Sequence, residues 1–168
     1  GSLVVTIFCL VMDDSPSDKE KPITSTEKEV VKEKKIVEKK IEEKKEIVKK
    51  EEIFASTKSE VSAQKITDAL GISCSTDNLA VAKKADYLFL CIKPQFCGDV
   101  AEEIRDCLPD GQVLISIIAG KNLDWLQEKF GTDKKIIRTM PNTPALVGEG
   151  ITGVCPNQFV SPDEIRQV

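Results

Sequence analysis

Three short polar segments follow apolar runs and carry groups suited to binding a phosphate or positioning a small substrate. They are Lys93-Pro94-Gln95, Ala119-Gly120-Lys121 and Met140-Pro141-Asn142-Thr143-Pro144. A proline keeps the preceding lysine extended, which ends a strand and directs polar groups into a crevice. Small residues after a strand let a ligand approach the backbone. Taken singly, Lys93-Pro94-Gln95 is typical of a simple strand end, and Ala119-Gly120 is as typical of an ordinary tight turn as of a ligand contact. The third segment indicates a rigid polar loop.

These segments need a scaffold of alternating strands and helices, and the chain from Ile53 onward predicts one. Continuous apolar runs, typical of strands buried on both faces, span Tyr87–Ile92 and Val113–Ile118. Shorter strands are expected at residues 53–56, 72–74, 136–139 and 151–154. Single helices between strands predict right-handed crossovers and a parallel sheet covered on both faces. Ligands of such sheets bind beyond the carboxyl ends of the strands, which is where the polar segments would lie.

Helix ends are marked by capping residues. Thr57 and Glu60 have capping-box spacing, and the helix that follows is expected to face the sheet through Val61, Ile66, Ala69 and Leu70. Asp77-Asn78 begins a short helix, and Asn122 caps another. Ser161-Pro162-Asp163-Glu164 combines an N-cap serine, a proline at the first helical position and a glutamate three residues after the serine.

The first 52 residues differ in character from the rest and divide into two parts. Residues 1–12 form an apolar segment with a possible strand at Leu3–Phe8, and residues 13–52 are rich in Glu and Lys. The run Glu27–Glu52 predicts either a long solvated helix or a disordered linker, which we favour over a partner-binding coiled coil. The apolar segment is too short to span a bilayer and lacks a basic flank, so no membrane association is expected.

Composition narrows the possible chemistry. The net charge of −4 gives no indication of nucleic-acid binding. With no histidine in the chain, Ser-His-Asp catalysis and His-containing zinc sites are excluded. The six cysteines show no C-x-x-C spacing, which favours buried free thiols in a reducing cytoplasm and predicts no metal site.

Three motifs together carry a resemblance to a known family. They are Phe89-Leu90-Cys91-Ile92-Lys93-Pro94-Gln95, Ile115-Ser116-Ile117-Ile118-Ala119-Gly120, and the segment from Arg138-Thr139-Met140-Pro141-Asn142-Thr143-Pro144 to Gly150. In this order and spacing they resemble motifs of pyrroline-5-carboxylate reductases, and the last motif is the most specific. The resemblance covers residues 53–168 and implies a Rossmann-like, doubly wound domain that binds NAD(P).

The resemblance implies an oxidoreductase of proline biosynthesis that acts on CH–NH groups. Hydride from NAD(P)H would reach the C=N carbon of 1-pyrroline-5-carboxylate and give L-proline. The implied cofactor contacts are Thr57, Asn78, Cys91, Ile92, Lys93, Pro94, Ile117, Ile118 and Ala119. Asn142 and Thr143 are implied at the nicotinamide and substrate end, and no catalytic residue is assigned. Hydride transfer depends on positioning and a dry pocket more than on a strong base.

The segment Ser56-Thr57-Lys58 bears on the choice of dinucleotide. An NAD-specific domain of this kind places Asp or Glu here, on the adenosine ribose. Hydroxyls and a lysine would instead accommodate a 2′-phosphate, so the sequence predicts NADP in preference to NAD.

The sequence also departs from the family. Residues 1–52 contain a single glycine, Gly1, and therefore no G-x-G-x-x-G turn. Leu3–Phe8 could replace the missing strand, but Asp13 and Asp14 would then oppose the phosphates. The family also has an all-helical domain that forms its homo-oligomer, to which nothing here corresponds. We expect an incomplete cofactor domain that is inactive by itself.

Two other functions stay open on the sequence. The chain could be a Rossmann-like binding or regulatory module without catalysis, or an interaction protein that acts through its charged run. The motif segments favour the reductase family, whereas the missing glycine turn keeps the binding module open.

Overall fold

The computed structural model describes residues 48–168 and the backbone of residues 5–9. The strands are β1 (Val5–Cys9), β2 (Ile53–Ser56), β3 (Ser73–Ser75), β4 (Tyr87–Cys91), β5 (Val113–Ser116), β6 (Lys135–Pro141) and β7 (Thr152–Pro156). The α-helices are α1 (Glu60–Leu70), α2 (Asn78–Lys84), α3 (Cys97–Ile104), α4 (Leu123–Phe130) and α5 (Pro162–Gln167). Short 3-10 segments span Lys50–Glu52, Pro94–Phe96, Arg105–Cys107 and Thr143–Val147.

One seven-stranded sheet organises the described residues, in the order β3-β2-β1-β4-β5-β6-β7. The first six strands pair in parallel, and β7 pairs antiparallel to β6. β1 lies in the centre, where Val5 is in register with Ile53 on one side and Tyr87 on the other. The strand order reverses direction between β1 and β4, which makes this the switch point of a doubly wound sheet.

The larger core lies where α2, α3 and α4 meet the sheet. Buried strand residues there include Leu88, Leu90, Leu114 and Ile136, and Phe130 on α4 is among the largest fully buried side chains. The opposite face carries a smaller cluster of Tyr87, Val113, Ile115 and Ile137. Strands that are apolar on both faces thus occupy the middle of a three-layer arrangement, as the uninterrupted apolar runs predict.

The predicted helix starts are largely confirmed, with one correction. Asp77 and Asn122 cap α2 and α4, and Ser161 and Glu164 form the predicted capping box of α5. The capping box assigned to Thr57 is wrong, because Thr57 Oγ1 donates to the backbone carbonyl of Ser59 at 3.1 Å. Ser59 is the N-cap of α1, and its Oγ accepts from Ser62 N.

The predicted inner face of α1 is wrong for Val61, Ala69 and Leu70, which are exposed, and holds for Ile66. Val61 is 61 % and Leu70 55 % exposed, and Ala63 is the buried residue of the helix. Because α1 begins at Glu60, its sheet-facing stripe runs through Ala63 and the half-buried Ile66, whereas Val61 lies on the far side.

The bounds of β3 to β7 also differ from expectation by one to two residues at one or both ends. β3 begins at Ser73, and β5 ends at Ser116, so Ile117 is exposed. β6 continues through Met140 and Pro141, which were expected to begin a loop. β7 is antiparallel because a tight loop rather than a helix connects it to β6, and such a loop returns the chain in the opposite direction.

The amino-terminal expectations are tested only in part. The possible strand at Leu3–Phe8 appears as β1, and its central position is that of a first strand. The predicted helix does not extend to Glu52, because Lys49 has an extended backbone and caps a 3-10 turn. The rest of the charged run and the Asp13-Asp14 pair lie outside the described residues.

The expectation of buried cysteines holds only for Cys97 among the five that are described. Cys155 is exposed, and Cys74, Cys91 and Cys107 are half-buried. Within residues 48–168 no group of three His, Cys, Asp or Glu side chains could hold a metal ion. The helices described there are also too short or too polar to cross a bilayer.

Candidate functional site

The predicted site residues lie along the carboxyl edge of the sheet, on both sides of β1. Thr57 and Asn78 follow β2 and β3 on one side. Cys91 ends β4, Ile117 follows β5, and Asn142 follows β6 on the other side. Since β1 lies between these two groups, the site extends across the switch point, where doubly wound sheets bind their ligands.

A cavity of about 230 Å³ joins Thr57 and Asn78. It is lined by Thr57, Lys58, Thr76, Asn78, Phe96, Asp99 and Val100. The loops after β2 and β3 contribute the polar residues, while the start of α3 and the turn before it contribute the apolar wall. We name this cavity the β2–β3 cavity.

Two buried polar atoms near the carboxyl ends of β2 and β3 have no hydrogen-bond partner among the described residues. They are Ser56 Oγ, at the carboxyl end of β2, and Asn78 Oδ1, in the cavity lining. Buried polar groups are normally paired, and an unpaired one costs about 1–3 kcal/mol. Asn78 Oδ1 is thereby an acceptor that a hydrogen-bond donor of a ligand in the cavity would satisfy.

Neighbouring glutamates fix two of the polar side chains in the lining. Asn78 Nδ2 donates to Glu103 Oε2 at 2.8 Å, and Thr76 Oγ1 donates to Glu60 Oε1 at 2.9 Å. One N–H of the Asn78 amide and the Thr76 hydroxyl proton are thereby engaged, so these side chains still offer a ligand the Asn78 carbonyl oxygen, the second Asn78 N–H and the Thr76 lone pairs.

Lys58 supplies positive charge at the rim of the β2–β3 cavity. Its Nζ lies 5.6 Å from the centroid of the Phe96 ring, within the range of a cation–π interaction. This contact holds the ammonium next to the cavity while the side chain stays exposed. Asp99 contributes a carboxylate to the same lining, so cationic and anionic groups are both present.

The chain segments after β4 and β5 lie side by side. Leu90 is in register with Ser116, and Ile117 N donates to the carbonyl of Leu90 at 3.3 Å. The side chains of Ile92 and Ile118 are buried in the larger core. These two residues could therefore contact a cofactor only through their backbone. Lys93 and Pro94 are exposed beyond them, as is Ala119.

The loop after β6 is held closed by Asn142. Asn142 Oδ1 accepts from Ile151 N at 2.9 Å, and Asn142 N donates to the carbonyl of Ile151 at 3.3 Å. This side chain, implied at the substrate end, thus has a structural bond of its own. Thr143 begins the 3-10 turn of the same loop, and both residues are exposed.

Cys97, at the start of α3, lies behind the carboxyl edge. Burial raises the pKa of its thiol from 9.0 to about 11, and the positive charge of Lys121 opposes that rise only partly. The thiol stays protonated near neutral pH, so Cys97 serves as a packing residue rather than a nucleophile.

Sequence reasoning missed several residues of the lining, namely Thr76, Phe96, Asp99 and Val100. Thr76 was predictable in part, because it precedes Asn78 in a loop at a strand end. The other three belong to the turn and helix after β4, which reach the cavity only through the tertiary fold.

A second cavity, of about 270 Å³, lies at the amino ends of β4 and β5. Several of its polar groups bond to neighbouring residues, while Gln112 Oε1 is buried without a partner among the described residues. Tyr87 OH donates to Gln167 Oε1, and Lys135 Nζ contacts Glu164 Oε1 at 2.6 Å. Gln112 Nε2 donates to the carbonyls of Ala82 and Ala85 at 2.8 and 2.6 Å. These bonds indicate a structural role at this edge.

Comparison with known sequences places the chain among nucleotide-dependent oxidoreductases. Residues 32–120 match the family described as NADP oxidoreductase, coenzyme F420-dependent. The pyrroline-5-carboxylate reductase of Escherichia coli is 39 % identical over 117 residues, which is 70 % of this chain and 44 % of that protein. The reductase of Corynebacterium melassecola is 35 % identical over 119 residues. The chain thus spans less than half the length of these curated relatives.

Solved structures agree with this comparison. The Plasmodium falciparum pyrroline carboxylate reductase with NADP bound matches 72 % of this chain and 43 % of that chain, at 32 % identity and a TM-score of 0.63. A pyrroline-5-carboxylate reductase from Coxiella burnetii matches 99 % of this chain and 54 % of that one, with a TM-score of 0.72. At 23 % identity, the second match supports the fold alone.

Proposed function

Since the chain belongs to the family of NADP oxidoreductases described as coenzyme F420-dependent, and carries the cofactor domain of pyrroline-5-carboxylate reductases, we propose that it binds NADP(H) along the carboxyl edge of its sheet. The observation that carries this proposal is the β2–β3 cavity, whose lining includes Asn78 with its unpaired Oδ1. A ligand that donates a hydrogen bond to this atom would remove the cost of leaving it unpaired.

In this proposal Thr57, Lys58 and Asn78 hold the adenosine end. The backbone of Cys91, Ile92, Lys93 and Pro94, together with that of Ile117, Ile118 and Ala119, lines the path toward the nicotinamide end. Asn142 and Thr143 border the substrate, 1-pyrroline-5-carboxylate. NADPH, when bound, supplies the hydride that reduces the C=N carbon and gives L-proline. The residues of this chain contribute binding and orientation.

The preference for NADP over NAD is assigned to Lys58. No acidic residue occurs in Ser56-Thr57-Lys58, and the Lys58 ammonium is held at the cavity rim by Phe96. A charge-assisted bond to a 2′-phosphate at an exposed site changes affinity by about three- to tenfold.

Binding constants for NADPH and NADH, measured by calorimetry, test this preference. The wild-type chain is expected to bind NADPH more tightly. Lys58→Ala should lower the NADPH affinity by about three- to tenfold and leave that of NADH within about twofold. Lys65→Ala, an exposed lysine on α1, is the control for net charge. Tighter binding of NADH by the wild type would refute the assignment.

For the chain by itself we propose cofactor binding without measurable turnover. Asn142 and Thr143 are exposed in the described structure, whereas hydride transfer requires a pocket from which water is excluded. NADPH oxidation with 1-pyrroline-5-carboxylate, followed at 340 nm, is expected to stay at background. Robust turnover would overturn the proposal of inactivity, and absence of NADPH binding would overturn the proposed function.

A cytoplasmic location, suggested by the cysteine thiols, belongs to the same proposal.

The alternative of a non-catalytic binding module is favoured by the same exposed loop. It shares the proposed cofactor site and differs only in having no reaction partner for the nicotinamide. Turnover after addition of the remaining part of a reductase from this family would exclude it.

A further inference from the structure

The Asn78 amide is oriented by a contact between two helices. Asn78 is the first residue of α2, and its Nδ2 donates to Glu103 Oε2 on α3 at 2.8 Å. An ionised carboxylate has only acceptors, so the amide nitrogen has to face Glu103 and the carbonyl oxygen has to point away from it. That oxygen, Oδ1, is buried without a partner among the described residues, and Asn78 lines the β2–β3 cavity.

Other polar groups of the lining also present acceptors. The hydroxyl proton of Thr76 is engaged by Glu60 at 2.9 Å, which leaves the Thr76 lone pairs for a ligand. The Asp99 side chain adds a carboxylate. Lys58 is the one cation of this lining, and its ammonium lies over the Phe96 ring at the rim. Beside the Lys58 ammonium at the rim, the lining thus offers several acceptors to a ligand edge that donates hydrogen bonds.

We propose that Glu103 is a positioning residue that holds Asn78 Oδ1 as an acceptor for the exocyclic amino group of adenine. This inference rests on the proposed function, in which the β2–β3 cavity holds the adenosine end of the cofactor. Adenine carries a donor at its 6-position, whereas hypoxanthine carries a carbonyl oxygen there. With hypoxanthine, two acceptors would face each other and Asn78 Oδ1 would stay buried and unpaired. Without the carboxylate, the amide can rotate and present Nδ2 instead.

Two dinucleotides that differ at this one position test the proposal. They are NADPH and nicotinamide hypoxanthine dinucleotide phosphate, with Kd measured for the full chain by calorimetry. The wild type is expected to prefer NADPH by about tenfold, the size of one hydrogen bond with its desolvation penalty. Glu103→Ala should reduce this preference to about twofold or less. Glu103→Gln keeps an acceptor for Asn78 Nδ2 and should retain most of it, and Glu102→Ala, an exposed neighbour, should retain all of it.

The ratio of the two Kd values separates positioning from a general structural role, because damage to the fold would weaken both dinucleotides alike. Equal Kd values in the wild type, or an unchanged ratio in Glu103→Ala, would overturn the inference while the proposed function stands. Binding of neither dinucleotide by the wild type would overturn both.

The contact can also be tested in the nucleotide-free chain by NMR of the Asn78 side-chain amide. The NH₂ protons should exchange with solvent more slowly in the wild type and in Glu103→Gln than in Glu103→Ala. Equal exchange rates in the wild type and Glu103→Ala would show that Glu103 does not hold the amide, and would also overturn the inference.

Discussion

Gly150 and Gly153 lie three residues apart, yet a methyl group should have opposite effects at the two positions. A Cβ on Gly150 would lie 2.6 Å from Ala145 Cα and 2.7 Å from Ala145 N, so it would collide with backbone. A Cβ on Gly153 would have nothing within 4 Å. Neither glycine has a positive φ, so the difference arises from space rather than from backbone strain.

The loss of unfolding free energy in Gly150→Ala depends on how easily the loop between β6 and β7 can open. Ordinary carbon contacts begin near 3.4 Å, so the turn containing Ala145 has to move away. Overpacking of this kind costs about 1–3 kcal/mol. If the loop opens instead, it relieves the overpacking but breaks the two bonds between Asn142 and Ile151, each with a net contribution of about 1 kcal/mol. We expect Gly150→Ala to lose about 1–3 kcal/mol of unfolding free energy.

Gly153→Ala should be neutral or slightly stabilising. The substitution removes conformational freedom from the unfolded chain, an effect of about 0.4–1 kcal/mol where the native backbone accepts alanine. Urea unfolding followed by the fluorescence of Trp125, the single tryptophan, measures both variants. Hydrogen exchange at the Ile151 amide should become faster in Gly150→Ala alone. Equal unfolding free energies for the two variants, or a protected Ile151 amide in Gly150→Ala, would refute this reasoning.

Substitutions at three further positions probe the same molecule. Gln112→Ala removes two buried bonds to the carbonyls at the end of α2 and should cost about 2–4 kcal/mol in urea unfolding. The unfolded Cys97 thiol ionises near pH 9 but the folded one near 11, so stability should fall by roughly 2 kcal/mol over that interval, less steeply in Cys97→Ala. Asn142→Asp retains an acceptor for Ile151 N and should keep that amide protected from exchange, whereas Asn142→Ala should not.

The sequence predicted the starts of helices well where a single capping side chain determines where the helix begins. Asn122 and Ser161 cap their helices as their spacing indicated. The capping prediction for Thr57 was wrong because Ser59, two residues later, also has a hydroxyl that can cap a helix, and Ser59 is the N-cap in the structure. The direction of β7 could not be read from its residues, because it follows from the path of the loop after β6.

The candidate site was predictable to the extent that it follows strand ends. Thr57 and Asn78 share a cavity because β2 and β3 are neighbours in the sheet. Phe96 and Glu103 were not predictable, since Phe96 reaches the cavity from the turn before α3 and Glu103 contacts Asn78 from α3. Their roles depend on how closely two helices approach, which no local spacing encodes.

The central position of β1 has a consequence for how the chain folds. Val5 pairs with Ile53 and with Tyr87, so both neighbours of β1 lie far along the chain. Contacts of such separation form slowly, because a long loop has to close before any bond is gained. Until β1 is inserted, β2 and β4 each present an open inner edge, and open edges can pair with other chains. The chain is therefore most prone to aggregate during folding, before β1 is inserted between β2 and β4.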